Sequence, residues 1–269
     1  MTLLCLTLPW LLTAALWIPL CLKLRIRAKP IAPLAIIAGA MTVFICICLD
    51  RSGLAIPLSA KISIQPVLIG LVSGIGIGIL FTRDPDRRVP DGDGIVVSPA
   101  DGTIRYVRPF ERGGNPACTK KGRPIPLNPD ELEGWIPAGI IIGIEMSLID
   151  VHVNRSPVSG ILFRQKHLAG SFLSLRHPDA AFVNERLVSL IESGNLKIAV
   201  IQIASRRIRR IVPFVQEGDR LTIGQRIGKI IFGSQVDILL PTGRADLCVR
   251  PGQRMRAGQT ILAQIRGLP

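Results

Sequence analysis

The chain divides into two parts that differ in their pattern of apolar residues. Up to about residue 82 the apolar residues form long runs without a charge, over 3–22 and 31–49, followed by a shorter glycine-rich run over 66–81. Each of the first two runs is about long enough to cross a bilayer core of roughly 30 Å as a helix. The pattern therefore predicts two membrane-spanning helices. It leaves open whether the third run is a tilted span, a re-entrant segment or a helix that lies on the membrane.

Beyond residue 83, short β-branched runs alternate with turns rich in Gly, Pro and Asp. Two such runs cover residues 94–107 and 197–203, and this spacing is typical of a β-rich domain. Only the stretch over about 179–192 carries apolar residues at helical spacing, and it predicts one helix. The predicted organisation is a membrane anchor over residues 1–82, followed by a mainly β (β-rich α+β) domain over residues 83–269.

Two internal repeats indicate how the β domain is built. Residues 215–227 and 249–261 share the pattern V-x-x-G-x-R-[LM]-x-x-G-Q-x-I, and residues 98–104 and 156–162 share S-P-x-x-G. Repeated units of this kind resemble the hammerhead of lipoyl and biotinyl carrier domains, where glycines turn the chain between interleaved strands. No lysine occupies the hairpin position that a carrier needs. The repeats therefore predict a barrel-sandwich, lipoyl-like architecture built by duplication, and no carrier function.

The charge of the chain limits which cellular compartment and which binding partners are expected. The net charge is +14 and no nucleic-acid-binding motif is present, so anionic lipid headgroups are the expected partner instead of nucleic acid. Basic clusters over 23–29 and 83–88 both face the cytoplasm if the third apolar run spans the membrane. That places the β domain on the cytoplasmic side of the cell membrane, whereas two spans would place it outside.

Four of the six cysteines lie in apolar runs and none forms a CxxC pair, so neither a metal site nor disulfides are predicted.

One Gly-Ser pair lies inside an apolar, β-branched run near the end of the chain, Ile-Phe-Gly-Ser-Gln-Val-Asp over 231–237. A serine hydroxyl in a tight, partly buried turn can attack the preceding carbonyl carbon in an N-to-O acyl shift, and the resulting ester can eliminate. These steps would cut the chain between Gly233 and Ser234 and convert Ser234 into an N-terminal pyruvoyl group. An ordinary turn is the alternative interpretation of an isolated Gly-Ser pair.

Self-cleavage needs a base to remove the serine proton, and the chain has three histidines. His152 is the leading candidate, because period-two alternation places it on one face of a predicted strand together with Asp150 and Asn154. Asp101, in a Ser-Pro-Ala-Asp-Gly-Thr segment, is the leading candidate for the carboxylate that orients the histidine. Asp150 is the alternative, because it is local to His152.

The other two histidines lie among polar and turn residues. His167 and His177 are predicted to lie in loops or at the surface. His167 remains a weaker candidate for lining a substrate site. Arg155, a cation close to His152 in the chain, is the candidate for holding an anionic part of the substrate.

Six segments, in order along the chain, resemble the phosphatidylserine decarboxylase family. They cover residues 81–87, 98–103, 150–157, 184–186, 211–219 and 232–237. The resemblance extends over about residues 80–269, and it is to the short, membrane-associated branch of the family. It implies a proenzyme that cuts itself into a β chain of residues 1–233 and an α chain of residues 234–269, which remain together as a heterodimer.

The resemblance also implies the reaction and its residues. The amine of phosphatidylserine would form a Schiff base with the pyruvoyl group of Ser234, carbon dioxide would leave, and phosphatidylethanolamine would be released, with neither pyridoxal phosphate nor a metal. Asp101 and His152 match the family's catalytic positions. Longer relatives carry a second histidine where this chain has Arg155, so His152 is expected to serve both maturation and catalysis. Gln235 stands where relatives often have Ser or Thr.

Two alternatives remain at this point. The substrate could be an ether-linked, archaeal-type phosphoserine lipid, which shares the same headgroup chemistry. The chain could also be a non-enzymatic, membrane-anchored lipoyl-like adaptor. The sequence leaves the acyl-chain preference and the oligomeric state open, including a homo-oligomer.

Overall fold

The structure is a computed structural model that describes residues 3–24, 32–53, 57–111, 117–120, 123–127, 132, 134–168, 185–204, 210–231, 235–241 and 243–266. The chain forms two compact units. One comprises residues 1–83 with residues 147–149, and the other comprises residues 84–146 and 150–269.

The first unit contains three helices, each in contact with the other two. Helix α1 spans Leu3–Leu24, α2 spans Ala32–Arg51 and α3 spans Leu58–Thr82. Helices α1 and α2 approach closely where Trp10 lies against Gly39, because a Cβ atom at Gly39 would come within 2.8 Å of the Trp10 ring. Large apolar side chains remain exposed on all three helices. Of the residues described, the segment Ser63–Thr82 is the one whose length and composition suffice to cross a membrane.

The second unit is mainly β, which confirms the class predicted from the sequence. Its described strands are β1 Ile95–Val97, β2 Gly102–Phe110, β3 Ala117–Lys120, β4 Arg123–Pro126, β5 Gly139–Glu145, β6 Val153–Arg155, β7 Gly160–Leu168, β8 Arg186–Ser193, β9 Leu196–Ile203, β10 Ile211–Pro213, β11 Arg220–Leu221, β12 Arg226–Ile230, β13 Gln235–Pro241, β14 Ala245–Leu247, β15 Arg254–Met255 and β16 Ile261–Ile265.

These strands form four sheets. The largest has eight strands in the order β11-β7-β8-β9-β13-β5-β2-β15, two have three strands (β1-β16-β14 and β10-β12-β6), and β3 pairs with β4. Strand β13 lies inside the eight-stranded sheet, antiparallel to β9 and β5. It begins at Gln235, one residue after Ser234 of the predicted cleavage bond. Gly233 and Ser234 themselves lie outside the described residues.

Both faces of the eight-stranded sheet are buried at its central strands β8, β9, β13 and β5. Along β13, Val236, Ile238 and Leu240 join a core cluster that also contains residues of β1, β12 and β16. Leu239 points to the opposite face and joins a second cluster with Trp135. Alternate side chains of one strand therefore enter two separate cores, which explains why the central strands are apolar almost throughout.

The internal repeats make matching backbone contacts. The Gly258 N–H donates to the Ser98 carbonyl at 2.8 Å, and the Gly224 N–H donates to the Ser156 carbonyl at 2.9 Å. Both glycines have positive φ, of 71° and 79°. Crossed bonds of 2.9 Å join the two S-P-x-x-G segments to each other, from the Val97 N–H to the Pro157 carbonyl and from the Arg155 N–H to the Pro99 carbonyl.

The helix predicted over residues 179–192 is wrong where the structure describes that stretch. Residues 186–193 form β8, while residues 169–184 lie outside the described part of the chain. Residues 186–191 are all buried, between β7 and β9 in the sheet. A strand that is buried on both faces places apolar residues at adjacent positions, and such a run also satisfies the spacing of a helix.

Candidate active site

His152 is fully buried and lies immediately before β6. The strand predicted to contain it begins one residue later, at Val153, so Asp150 and His152 belong to the turn that precedes the strand. The His152 carbonyl accepts a hydrogen bond of 3.1 Å from the Ile230 N–H. Ile230 ends β12 three residues before Gly233. His152 is thus bound to the segment that leads to the predicted cleavage bond.

The His152 ring is held in one tautomer. Its Nδ1 lies 2.8 Å from the backbone carbonyl oxygen of Asp150. A carbonyl oxygen can only accept, so Nδ1 carries the proton and Nε2 carries the lone pair. Burial lowers the pKa of His152 from 6.5 to about 4, because desolvation disfavours the imidazolium, and the contact with Asp150 offsets only part of this effect. At neutral pH the ring is therefore uncharged, and Nε2 carries a lone pair that can accept a proton, as a general base requires.

Asp101 is held by an ion pair in the described structure. Its carboxylate forms a bidentate pair with Arg87, in which Nη2 donates to Oδ2 at 2.9 Å and Nη1 donates to Oδ1. The Ala257 N–H also donates to Oδ1, at 2.8 Å. Of the causes that act on the His152 pKa, the charge of Asp101 is the smallest. The described contacts give Asp101 a structural role at the start of β2, and its predicted role in orienting His152 stays a prediction.

Arg155 connects three segments of the second unit. Its buried guanidinium donates from Nη1 to the Gly224 carbonyl at 2.9 Å, and from Nη2 to the Pro85 carbonyl at 3.0 Å and to the Asp84 carboxylate at 3.3 Å. Asp84 also accepts a hydrogen bond from Arg226. The described contacts of Arg155 are therefore made within the protein. Its predicted contact with substrate stays a prediction.

His167 lies in β7, and not in a loop, with about half of its side chain exposed. Its Nε2 is 2.7 Å from Oε1 of Glu185, and the Ile211 N–H donates to the same oxygen at 3.2 Å. The other oxygen of Glu185 is buried and has no hydrogen-bond partner among the described residues. Glu185 was not among the predicted site residues, although it lies in the 184–186 segment, one of the six that carry the family resemblance. His177 lies outside the described residues.

A buried amide pair connects the strand after His152 to the large sheet. Gln202 in β9 is in register with Val236 of β13, on a face that is otherwise apolar. Its Nε2 donates to Oδ1 of Asn154 at 2.8 Å, and Asn154 Nδ2 donates to the Pro99 carbonyl at 3.4 Å. Asn154 was predicted to lie near His152, whereas Gln202 was not among the predicted site residues. The signal for Gln202 was a single amide within the apolar run over 197–203.

A second buried cluster lies at the start of β13. The Tyr106 hydroxyl donates to Oδ2 of Asp237. Nε2 of Gln235 lies 3.1 Å from the Tyr106 hydroxyl and donates to Oδ1 of Asp237 at 2.7 Å. All three side chains are buried. This cluster fixes the side chain of Gln235, the residue after Ser234, and it was not predicted from the sequence.

The arrangement suits acyl and proton transfer by side chains. His152 has a neutral, oriented imidazole, and its backbone binds the end of β12, the strand that leads to the Gly-Ser bond. A buried amide and a buried carboxyl group lie at the start of β13, on the other side of that bond. Among the described residues, no group of three or more His, Cys, Asp or Glu side chains could hold a metal ion.

Comparisons with known proteins identify the family. The phosphatidylserine decarboxylase family model matches residues 78–263. The chain is 36% identical over 197 residues to a phosphatidylserine decarboxylase proenzyme of Symbiobacterium thermophilum, which covers 72% of this chain and 82% of the relative. It is 41% identical over 187 residues to the proenzyme of that name from Nocardia farcinica, with coverages of 69% and 71%. A protein of Methanocaldococcus jannaschii, provisionally named an archaetidylserine decarboxylase proenzyme, is 39% identical over 186 residues, with coverages of 69% and 88%. The resemblance inferred from the six segments is confirmed, and the chain belongs to the phosphatidylserine decarboxylase family.

Proposed function

We propose that the chain is the proenzyme of a phosphatidylserine decarboxylase. It cuts itself between Gly233 and Ser234 and then converts phosphatidylserine to phosphatidylethanolamine and carbon dioxide. The observation that carries this proposal is the state of His152, a buried and neutral imidazole whose carbonyl binds Ile230, three residues before Gly233. The relatives that carry the decarboxylase name support the same assignment.

In self-cleavage, Nε2 of His152 takes the proton of the Ser234 hydroxyl, and the oxygen attacks the Gly233 carbonyl carbon. The amide nitrogen leaves as an amine, which converts the peptide bond into an ester. Loss of the Ser234 α-proton then expels Gly233 as a carboxylate. The remaining unsaturated amine takes up water and releases ammonia, which leaves the pyruvoyl group. Both deprotonations need a base that is free of its own proton at neutral pH, and the lowered pKa of His152 provides one.

The residues around the start of the α chain fit a pyruvoyl group. Gln235, whose nitrogen would carry it, is paired in the sheet with Glu145 on one side and Ile203 on the other. Its side chain is bound by Tyr106 and Asp237. When formed, the pyruvoyl carbonyl supplies an electrophile for the headgroup amine and an electron sink for the bond to the departing carbon dioxide.

His152 is proposed to move the protons of the decarboxylation. Its Nε2 accepts a proton from the incoming ammonium of the substrate, and the imidazolium returns a proton to the carbon that loses its carboxylate. One residue thereby acts as base and then as acid. Asp101 is proposed to support this site through its ion pair with Arg87, which holds the start of β2.

Contacts with the rest of the headgroup are proposed for His167 and Arg155. His167 lies near the end of β7 and is about half exposed, and its ring contacts the buried carboxylate of Glu185. The guanidinium of Arg155 already donates hydrogen bonds to Gly224, Pro85 and Asp84. His167 is therefore the stronger candidate for binding the headgroup. The α and β chains are proposed to remain together, because β13 of the α chain lies between strands of the β chain.

The helical unit is proposed to anchor the enzyme in the cell membrane, with the β domain on the cytoplasmic side. Exposed apolar side chains on all three helices and the apolar segment Ser63–Thr82 support the anchor. Basic residues at 23–29 and 83–88 support the orientation. The matched backbone bonds of the repeats support a lipoyl-like unit that arose by duplication.

A second candidate substrate is an ether-linked lipid with the same phosphoserine headgroup. The Methanocaldococcus jannaschii relative, at 39% identity, favours it. The two substrates share the phosphoserine headgroup and differ in their hydrocarbon chains, which are joined to glycerol by ether bonds in one and by ester bonds in the other. An assay that presents both lipids to the processed enzyme in matched vesicles separates them.

Intact-mass analysis of the purified protein and its Ser234→Ala variant tests the proposed function. We expect the wild type to yield residues 1–233 and a small chain of residues 234–269, lighter by the mass of ammonia than a chain that begins with serine. We expect the Ser234→Ala variant to stay uncut and inactive toward both lipids. If the wild-type chain keeps its full mass, no pyruvoyl group has formed and the proposed reaction has no electrophile. The membrane-anchored adaptor would then be the function to test.

A further inference from the structure

The cluster of Tyr106, Gln235 and Asp237 has no part in the proton transfers proposed above. Tyr106 lies on β2 and Asp237 on β13, and β5 runs between them. Gly143 of β5 is in register with both residues. A Cβ atom at Gly143 would overlap the Tyr106 ring. The absence of a side chain at Gly143 therefore allows the Tyr106 ring to lie across β5, so that its hydroxyl reaches β13.

The cluster is buried and bound to a carboxylate. Tyr106, Gln235 and Asp237 are 6%, 2% and 0% exposed. The Tyr106 hydroxyl binds Oδ2 of Asp237, and Gln235 binds the hydroxyl and Oδ1. Removing one donor from a buried acceptor leaves that acceptor less well satisfied, which costs more than losing an exposed hydrogen bond. The hydroxyl of Tyr106 is thus a firm attachment between two strands that are not neighbours.

Self-cleavage changes what this attachment connects. Before the cut, Gln235 is in the middle of a chain that is also restrained upstream, where the Ile231 N–H donates to the Arg210 carbonyl at 2.9 Å. After the cut, Gln235 is the second residue of the α chain, while Tyr106 and Gly143 belong to the β chain. Chain ends fray unless they are tied down, and fraying here would displace the reactive end of the α chain.

We propose that Tyr106 is a positioning residue of the mature enzyme, whose hydroxyl ties the first side chains of the α chain to the β chain and prevents the new chain end from fraying. This inference rests on the proposed self-cleavage. It assigns the hydroxyl a larger role after cleavage than before it, because the upstream connection has then been lost. It also explains why a polar cluster occupies a face of β13 that is otherwise apolar.

The test compares Tyr106→Phe in the self-cleaving chain and in the uncut Ser234→Ala chain, by hydrogen exchange at the amides of residues 236–238. Phenylalanine keeps the ring over Gly143 and removes only the hydroxyl. In the cut enzyme we expect exchange to become about ten- to a hundredfold faster, the range that follows from leaving one buried hydrogen-bonding group unsatisfied. In the uncut chain we expect a change of less than about threefold. Ser189→Ala, which removes another buried and hydrogen-bonded hydroxyl from the same sheet, should leave exchange at 236–238 unchanged.

Decarboxylation gives a second readout. In the cut Tyr106→Phe enzyme we expect kcat to fall and KM to stay within about twofold, because the hydroxyl holds the reactive chain end and does not bind the lipid. Equal acceleration of exchange in the cut and uncut chains would overturn the proposal, as would no acceleration in either. If Tyr106→Phe prevents folding or cleavage, Asp237→Leu allows the same comparison, since it removes the group that accepts the hydrogen bond from the Tyr106 hydroxyl and leaves the tyrosine in place.

Failure of the proposed function is seen separately. The mass of the wild-type protein is measured before any exchange experiment, and a full-length wild type would refute self-cleavage and the role of Tyr106 with it. A cut wild type whose Tyr106→Phe variant exchanges like the wild type would refute the role of Tyr106 alone.

Discussion

The pH dependence of self-cleavage tests the environment of His152. The ring is fully buried, and desolvation lowers its pKa to about 4. A base acts in its deprotonated form, so the cleavage rate should follow the neutral fraction of the ring. The rate should be constant from about pH 8 to pH 6 and should fall to half only near pH 4. An exposed histidine with a pKa of about 6.5 would already lose half of the rate at about pH 6.5.

The two cases differ most usefully at pH 5.5. With a pKa of about 4, about 97% of the ring is neutral at that pH, whereas a pKa of 6.5 leaves about 9%. Burial of His152 therefore predicts a rate at pH 5.5 that is about tenfold higher than an ordinary histidine would support. The measurement is the fraction of cut chain against time in freshly synthesised precursor, at half-unit steps from pH 4 to pH 8.

Acid unfolding must be separated from titration of the base. Because the folded pKa of His152 lies below the unfolded value, the unfolded chain binds more protons between about pH 6.5 and pH 4. Stability is fully present above pH 6.5 and falls through this window by roughly 3 kcal/mol in total. Near-ultraviolet circular dichroism at each pH identifies the range in which the fold is intact. His177→Gln, which removes a histidine with no assigned role, should leave the midpoint unchanged. A wild-type midpoint between pH 6 and pH 7 in folded protein would refute the burial argument.

Two further predictions concern the stability of the uncut Ser234→Ala chain, measured by denaturant unfolding. Asp101→Asn should lower the free energy of unfolding by about 3–5 kcal/mol, because it leaves the buried guanidinium of Arg87 without its charge partner, and Arg87→Met in the same chain should recover part of that loss. An Asp101→Asn chain that keeps full stability, and that fails to cut itself when Ser234 is present, would instead favour a catalytic role for Asp101. Gly143→Ala should lower the free energy of unfolding by about 1–3 kcal/mol through its clash with the Tyr106 ring, and Tyr106→Ala in the same chain should add less than its own separate effect. Strictly additive losses would contradict the contact.

The class of the second unit could be predicted because strand patterning is local. Short β-branched runs bounded by glycine and proline became strands such as β2 and β9. The segment that became β8 was assigned to a helix, because a strand between two neighbours, with both faces buried, loses the alternation that marks a one-sided strand. The segment forms a strand because it pairs with β7 and β9. The pattern of residues within the segment does not show this pairing.

The candidate site was predicted in part for the same reason. The Gly-Ser pair and the segment around His152 are chemical signals carried by adjacent residues, and they sufficed for the family assignment. Glu185, Gln202 and Tyr106 were missed as site residues. Each gains its significance from a partner on another strand, as Tyr106 does from Asp237, 131 residues away.

The sequence by itself determined the β-rich class of the second unit, its internal repeats and the family, because each depends on the identity and spacing of neighbouring residues. Tertiary structure decided the protonation state of His152 and the partners of Asp101. The first follows from burial by the surrounding strands, which lowers the pKa of the ring. The second follows from contacts with Arg87, 14 residues away, and with Ala257, 156 residues away. Desolvation and ion pairing are set by segments that meet only in the folded chain, so no local pattern can specify them.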